Sequence, residues 1–267
     1  MIPKVIHYCW FGRNKKSKLI EKCIESWKKY CPDYKIIEWN EDNYDLSKTP
    51  VYVQQAYSAK RWAFVTNYVR LDVVYCNGGV YLDTDVELIK NLDSLLVYNG
   101  FFGYETDNQI NTGLGFGGVA RLQILKELMD DYNNCCFVVN NGSYDLTPCP
   151  QRNADVFIKN GVKPNGTKQL INNNIMIFPR EYFCPIDYYT NRKHITDNTL
   201  SIHWFSSSWS DEKARKYRKI SSRMAYVFGR RNADIILGIA SSVKREGPGR
   251  YIAKRVRKYC VREKKDE

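Results

Sequence analysis

Apolar residues cluster at Lys4 to Tyr8 (KVIHY), which predicts a buried first strand. They then recur at Leu19, Ile20, Cys23, Ile24 and Trp27, one face of a helix over Lys18 to Tyr30, before a second strand at Tyr34 to Trp39. Two apolar strands joined through a helix predict the start of a parallel sheet. From Tyr52 to Tyr75 the spacing is helical again, with Phe64, Tyr68, Leu71 and Tyr75 near one side, and Asn77-Gly78-Gly79 supplies the stop. The next strand, Val80 to Leu82, runs directly into two aspartates.

Further strands are predicted at Phe101 to Tyr104, Gly113 to Gly117, Ile175 to Pro179 and Thr199 to His203, with a helix from Leu122 to Tyr132. Asn133 to Gly166 is rich in Asn, Gly, Pro and Cys and reads as loops around one short helix carrying Ala154 to Ile158. After Trp209 the pattern changes. Ala214 to Val227 is basic and amphipathic, Ala233 to Val243 is apolar, and Gly247-Pro248-Gly249 breaks before a last basic helix. The expected organisation is therefore an α/β domain over 1–210 and a basic helical extension over 211–267.

Charge sharpens that division. Residues 211–267 hold 18 Lys or Arg against 7 Asp or Glu, so nearly all of the net charge of +12 sits in the extension. A basic tail on a nearly neutral body suits an anionic lipid surface or another polyanion. The nine cysteines include no CxxC pair, which argues against a zinc ribbon or a disulfide framework and fits a reducing cytosol. The opening MIPKVIHYCWFG is too short and polar for a signal peptide, and no run approaches the ~18 apolar residues of a membrane span. The expected location is the cytoplasm, at the inner face of the membrane.

The chemistry centres on Gly-Gly-Val-Tyr-Leu-Asp83-Thr-Asp85. A strand ending in two carboxylates two residues apart sets both on one side of the extended chain, at the carboxyl edge of a sheet. There they can hold a hard divalent cation, Mn²⁺ or Mg²⁺, that neutralises a diphosphate. A nucleotidyltransferase would also pair carboxylates in this way, but it needs a triphosphate cradle, and no Gly-rich Lys/Ser phosphate loop occurs. A nucleic-acid-binding role for the tail is the non-enzymatic alternative; its interleaved aromatics are few, and no zinc-finger or RNP pattern appears.

The run from Ala63 to Asp85 resembles the DXD sugar-binding region of glycosyltransferase family 32. That family includes yeast initiating mannosyltransferases and bacterial capsule and cell-surface polysaccharide transferases, and looks related to the glucosyltransferase domains of clostridial toxins. The resemblance extends over about Ile2 to Trp209 in four patches, and implies a GT-A fold with a Rossmann-like nucleotide-sugar-binding sheet. In the first patch, Ile2 to Gly12, it implies that Trp10 stacks on the donor base; His7 on the same strand is grouped with the donor-binding residues, a structural hydrogen bond suiting it better than a metal. Arg70 matches a helix arginine that reaches the donor's sugar or diphosphate. Asn67 stands where the family usually has an aspartate on the donor sugar hydroxyls, and so has lost a negative charge.

Asn111, Thr112 and Gly113, opening the stretch to Gly117, are similar to the segment beside the donor sugar. In the fourth patch His203 is implied as third metal ligand, a type that suits Mn²⁺ better than Mg²⁺, while Ser207 or Ser208, with Trp209, closes over the diphosphate. The expected activity is that of a retaining hexosyltransferase, moving a sugar from a nucleotide-sugar, UDP-sugar favoured, to a glycan or lipid-linked acceptor in surface polysaccharide synthesis. Asp83, Asp85, Arg70 and Asn67 are the expected catalytic set.

Overall fold

A computed structural model describes residues 1–140, 142–206 and 212–247, with residue 250. The chain divides into two compact units, Met1–Ile186 with Lys193–Trp209, and Asp187–Arg192 with Ser210–Glu267. The sequence-based boundary lies beside the second of these breaks, whereas the excursion at Asp187–Arg192 carries no compositional mark.

The larger unit is α/β, the class expected. Strand β1 (Val5–Cys9) and β2 (Lys35–Trp39) pair in parallel across helix α1 (Lys18–Tyr30), and β1 also pairs in parallel with β3 (Gly79–Tyr81). Ser17 caps α1 by accepting from Ile20 N, and the apolar stripe of α1 buries Ile20, Cys23 and Trp27. Beyond β3 the sheet is mixed. Strands β5 (Gly100–Thr106), β6 (Gln109–Ile110) and β7 (Phe116–Gly118) follow β4 (Val86–Leu88), and β8 (Gln169–Ile171) and β9 (Ile175–Phe178) complete the order β2-β1-β3-β7-β5-β9-β8. β7 is antiparallel to both β3 and β5, so the parallel sheet predicted at the start covers only its first three strands before β7 turns it. The remaining parallel pair is β5 with β9.

The single helix predicted from Tyr52 to Tyr75 is two, α2 (Val51–Ser58) and α3 (Trp62–Asn77). Lys60 takes the left-handed conformation at φ 56°, Lys60 N donates to Tyr57 O and Arg61 N to Ala56 O. These are the two bonds of a Schellman ending, built on lysine where glycine is the usual signal. The stop at Gly78-Gly79 is where the sequence puts it. Gly79 has φ +113°, and a Cβ there would lie 2.8 Å from Val5 O and 2.9 Å from His7 Nε2, so only glycine brings β3 this close to β1.

Helices α4 (Gln123–Asn133) and α5 (Cys149–Lys159) pack with α3 and α2 into the main core. α5 contains the short helix expected around Ala154 to Ile158 but begins earlier, with Pro150 in its first turn. Apart from the main sheet, β4 and β10 (Ser201–His203) form an antiparallel pair with His203 opposite Val86. Two side chains of α1 anchor β4, since Trp27 Nε1 donates to Val86 O at 2.7 Å and Leu88 N donates to Ser26 Oγ at 2.9 Å.

In the smaller unit, α6 (Glu212–Phe228) and α7 (Arg230–Glu246) are joined at Gly229, φ +77°. Ala225 and Ala233 are buried, and the Arg192 guanidinium lies over the Tyr226 ring at 5.3 Å. The last basic helix expected after Gly249 lies, beyond Arg250, outside the described residues.

Candidate active site

The β4–β10 pair determines what surrounds the two aspartates. Asp85 immediately precedes β4 and His203 ends β10, so antiparallel pairing carries the late histidine to the DXD turn. His203 Nε2 stands 3.3 Å from Asp85 Oδ1. The chain after β10 then wraps the same residue, with Trp204 N donating to the Asp85 backbone carbonyl at 3.0 Å and Ser206 N to its carboxylate Oδ2 at 2.7 Å.

Asp83 is held from the other side. Arg70, on α3 and only 4% exposed, sets Nη2 3.2 Å from Asp83 Oδ1, to which the Tyr81 hydroxyl also donates at 3.0 Å. Nε of Arg70 donates to Thr66 O, and its guanidinium lies 5.2 Å from the Tyr81 ring centroid. Arginine at this position is thus fixed by its own helix and by the strand leading into the aspartates. Tyr81 was absent from the predicted site, though standing two residues before Asp83 it lies on the same side of the strand.

The two carboxyls respond oppositely to this setting. Burial pushes Asp83 up, and the Asp85 charge adds to it against the pull of Arg70. Burial also opposes ionisation of Asp85, but His203 and the Ser206 N–H outweigh it and hold Asp85 well below the usual carboxylate range. Burial would lower His203; the Asp85 charge instead raises it well above its ordinary value.

One ligand atom from each of Asp83, Asp85 and His203 lies within 4.8 Å of the others. A cation bonded at about 2.1–2.3 Å spans such separations. The Nδ1 atom of His203 makes no hydrogen bond, and the Cys184 thiol is beside the ring. The two carboxylates suit Mn²⁺ or Mg²⁺ and the imidazole favours Mn²⁺ of the two, so the residues fit the group.

Asn111, Thr112 and Gly113 border this cluster. Gly113 N donates to Asn111 Oδ1 at 2.7 Å, and Asn111 Nδ2 donates to Glu105. The Cys149 thiol, opening α5, donates to the same Asn111 Oδ1 at 3.3 Å. Thr112 is fully buried, its Oγ1 without a hydrogen-bond partner. A Cβ on Gly113 would lie 2.6 Å from Asp83 Oδ2 and 3.0 Å from Arg70 Nη1. Gly113→Ala is therefore expected to push Asp83 off its position and to lower donor turnover by at least about tenfold, the size of effect that a misplacement near 1 Å produces. A steady-state rate within twofold of wild type would show that the cradle has slack.

Other predicted residues divide. Asn67 is buried one turn before Arg70 on the same face of α3. Trp10 follows β1 at the sheet's carboxyl edge and is partly exposed, its Nε1 donating to Asn14 O and the Lys16 ammonium 5.3 Å from its ring. Cys9, just before it, is tied to the site through the fields of Arg70 and Asp83, although burial pushes its thiol up to about 12. His7 is corrected. Grouped with the donor-binding residues, it is fully buried, accepts at Nδ1 from Trp39 Nε1 at 3.0 Å and donates from Nε2 to Gly78 O at 2.9 Å, leaving nothing for a ligand. Ser207, Ser208 and Trp209 lie outside the described residues.

Residues 17–102 match the family described as a glycosyltransferase sugar-binding region containing DXD motif. The matched stretch is less than half of the chain. It includes Asp83, Asp85, Arg70 and Asn67, while Trp10, Asn111, Gly113 and His203 lie beyond it. A curated relative, inositol phosphoceramide mannosyltransferase 3 of Schizosaccharomyces pombe (strain 972 / ATCC 24843), is 30% identical over 137 residues, 48% of this chain. The aligned part is 37% of that relative, so the chain spans little more than a third of its length.

Among solved structures, the PaToxG glycosyltransferase is similar with a TM-score of 0.48 and 17% identity, over 59% of this chain and 68% of that one. A glycosyltransferase involved in the glycosylation of the major capsid of PBCV-1 gives 0.44 and 16%, over 81% and 99%.

Proposed function

We propose that this DXD glycosyltransferase chain is a metal-dependent retaining hexosyltransferase that draws its sugar from a nucleotide-sugar, UDP-sugar by preference, in the synthesis of a surface polysaccharide. The observation that carries the reading is the meeting of Asp83, Asp85 and His203, from separate parts of the chain, within 4.8 Å at a sheet edge. Salt bridging alone would explain Asp85 with His203, but not a second carboxylate turned to the same point. The relative's name, a mannosyltransferase of inositol phosphoceramide, supports a hexose as the group moved and a lipid-linked acceptor; a glycan is the other acceptor class.

Asp83, Asp85 and His203 would hold the cation, and when bound it supplies charge neutralisation to a donor diphosphate and its departing nucleotide. Arg70 aims Asp83 and works against the burial that raises its pKa, and the Ser206 N–H holds Asp85 in place and favours its charged form. Trp10 offers an aromatic face to the donor base. Asn111 and Gly113 let the sugar approach the backbone closely, and Asn67 serves its hydroxyls as a neutral donor and acceptor.

The test is a screen of UDP- and GDP-sugars with and without Mn²⁺, read by donor hydrolysis and by melting temperature. A donor present at about a hundredfold its Kd should stabilise the chain by about 2.7 kcal/mol. The expected result is Mn²⁺-dependent hydrolysis of a UDP-hexose. Stabilisation by nucleoside triphosphates alone, with no nucleotide-sugar cleaved under any condition, would overturn the reading in favour of nucleotidyl transfer.

A further inference from the structure

The α6–α7 hairpin exposes more large apolar side chains than a solvated helical pair has use for. On α6, Tyr217, Ile220, Val227 and Phe228 are all more than half exposed and, with Met224 among them, fall within about a third of the helix circumference. On α7, Ile235, Ile236 and Ile239 form a second exposed stripe. Among the described side chains of the two helices, the small residues Ser222, Ala225 and Ala233 are the buried ones, and the large apolar side chains named above face outward. From sequence Ala214 to Val227 reads as amphipathic and Ala233 to Val243 as apolar, and periodicity does not say which of these faces stays exposed.

Charge surrounds these stripes. Residues 212–247 contain ten Lys or Arg and three Asp or Glu, and Arg230 and Arg231 follow directly on Tyr226, Val227, Phe228 and Gly229 at the bend. Val227 is 69% exposed and Phe228 54%, so the bend presents two bare apolar side chains next to two arginines. No helix among the described residues is long and apolar enough to cross a membrane. Basic helices with an apolar stripe lie in the interfacial plane of a bilayer, apolar side chains below the headgroups and cations among them.

We infer that the α6–α7 hairpin docks on an anionic lipid bilayer by inserting Val227 and Phe228 at its bend together with the Ile235, Ile236 and Ile239 stripe, its arginines holding lipid phosphates. The docking is more than attraction of a basic tail to negative charge. Electrostatic binding of that kind is screened away as salt rises, whereas apolar burial is not. A second copy of this chain is the competing occupant, but a surface with a net positive excess repels its own copy and suits an acidic one.

The experiment is co-flotation of the full chain with vesicles of phosphatidylcholine alone and with about 30% phosphatidylserine, at about 0.1 M and about 0.5 M NaCl, a range over which exposed charges become largely screened. Three proteins are compared: wild type, Val227→Asp/Phe228→Asp, and Arg230→Gln/Arg231→Gln. The wild type should float with the anionic vesicles and retain a measurable part of that binding at high salt. The aspartate pair should lower partitioning by about tenfold or more, as expected for two side chains that no longer bury apolar area, and should lose the salt-resistant part. The glutamine pair should weaken binding at low salt and leave the salt-resistant part.

Because Val227 and Phe228 are exposed, the aspartate pair should keep the wild-type melting curve, the glutamine pair losing only the stacking of Arg230 on Tyr189 and its pairing with Asp234, and donor hydrolysis in solution should be unchanged in both. Membrane docking therefore stands or falls separately from sugar transfer. No flotation with anionic vesicles would overturn the inference. So would binding that salt abolishes and the aspartate pair leaves intact, since the tail would then be a purely electrostatic anchor. A concentration-dependent dimer in sedimentation that the aspartate pair dissociates, without vesicle binding, would assign the face to self-association instead.

Discussion

Asp85→Ala is expected to abolish sugar transfer and donor hydrolysis while the chain stays folded. Its carboxylate has two tasks that can be separated. Oδ2 accepts the Ser206 N–H at 2.7 Å, a structural bond, and Oδ1 faces His203 and the common point shared with Asp83. Truncation leaves the Ser206 N–H without its acceptor, a cost of about 1–3 kcal/mol that a domain of this size can absorb. Loss of a carboxylate ligand to the cation is worth several kcal/mol at the transition state, a rate drop on the order of a thousandfold. Asp85→Asn keeps an oxygen for Ser206 and removes the charge, so it should melt close to wild type and be as inactive as the alanine variant. Mn²⁺ with a nucleoside diphosphate should raise the wild-type melting temperature and leave both variants unmoved. A variant that retains more than about a tenth of the wild-type rate would refute a metal role of that size.

Local pattern made much of the fold legible. α1, with its serine cap and apolar stripe, and β1, β2, β3 and β9, with their short apolar runs, form close to where spacing predicts. The misreadings have local physical causes. Lys60 in a left-handed ending hides the break between α2 and α3, because the sequence marker of such an ending is glycine. β4, β6 and β8 have two or three residues each, too few for alternation to register. Strand direction is carried by pairing between distant segments, and nothing in Phe116 to Gly118 declares that β7 will run antiparallel to β3.

The site was legible where neighbours in sequence are also neighbours in space. Asp83 and Asp85 stand two residues apart on a strand end, and Asn67 and Arg70 are one helical turn apart. That His203 reaches Asp85 depends on the β4–β10 pairing across more than a hundred residues, which only a family resemblance anticipates. Contacts such as Cys149 to Asn111 had no sequence signal at all, since α5 is brought there by the packing of the whole core. His7 was misgrouped for the converse reason. A histidine near a candidate site looks chemical, but here Trp39 and Gly78 consume both nitrogens to tie β1 to β2 and to the end of α3.

Arg70→Met should lower the melting temperature by about 10 °C, and Mn²⁺ should restore a larger share of the loss than it adds to wild type. The resemblance assigns this arginine to the donor; in the structure its charge is committed to Asp83 Oδ1 at 3.2 Å, with Tyr81 and Thr66 completing its surroundings. Breaking a buried pair by removing one partner costs about 3–5 kcal/mol because the other charge is left uncompensated. At roughly 2–4 °C per kcal/mol for a domain of this size, that is a shift near 10 °C. A divalent cation beside Asp83 replaces the lost positive charge, so its stabilising effect must be larger in the variant. Arg70→Lys retains a charge but not the fork that reaches Thr66 and Asp83 together, and should fall between the two. If Arg70→Met melts like wild type with and without Mn²⁺ yet loses turnover, the guanidinium acts on the donor alone, and Asp83 is held by Tyr81 and the strand.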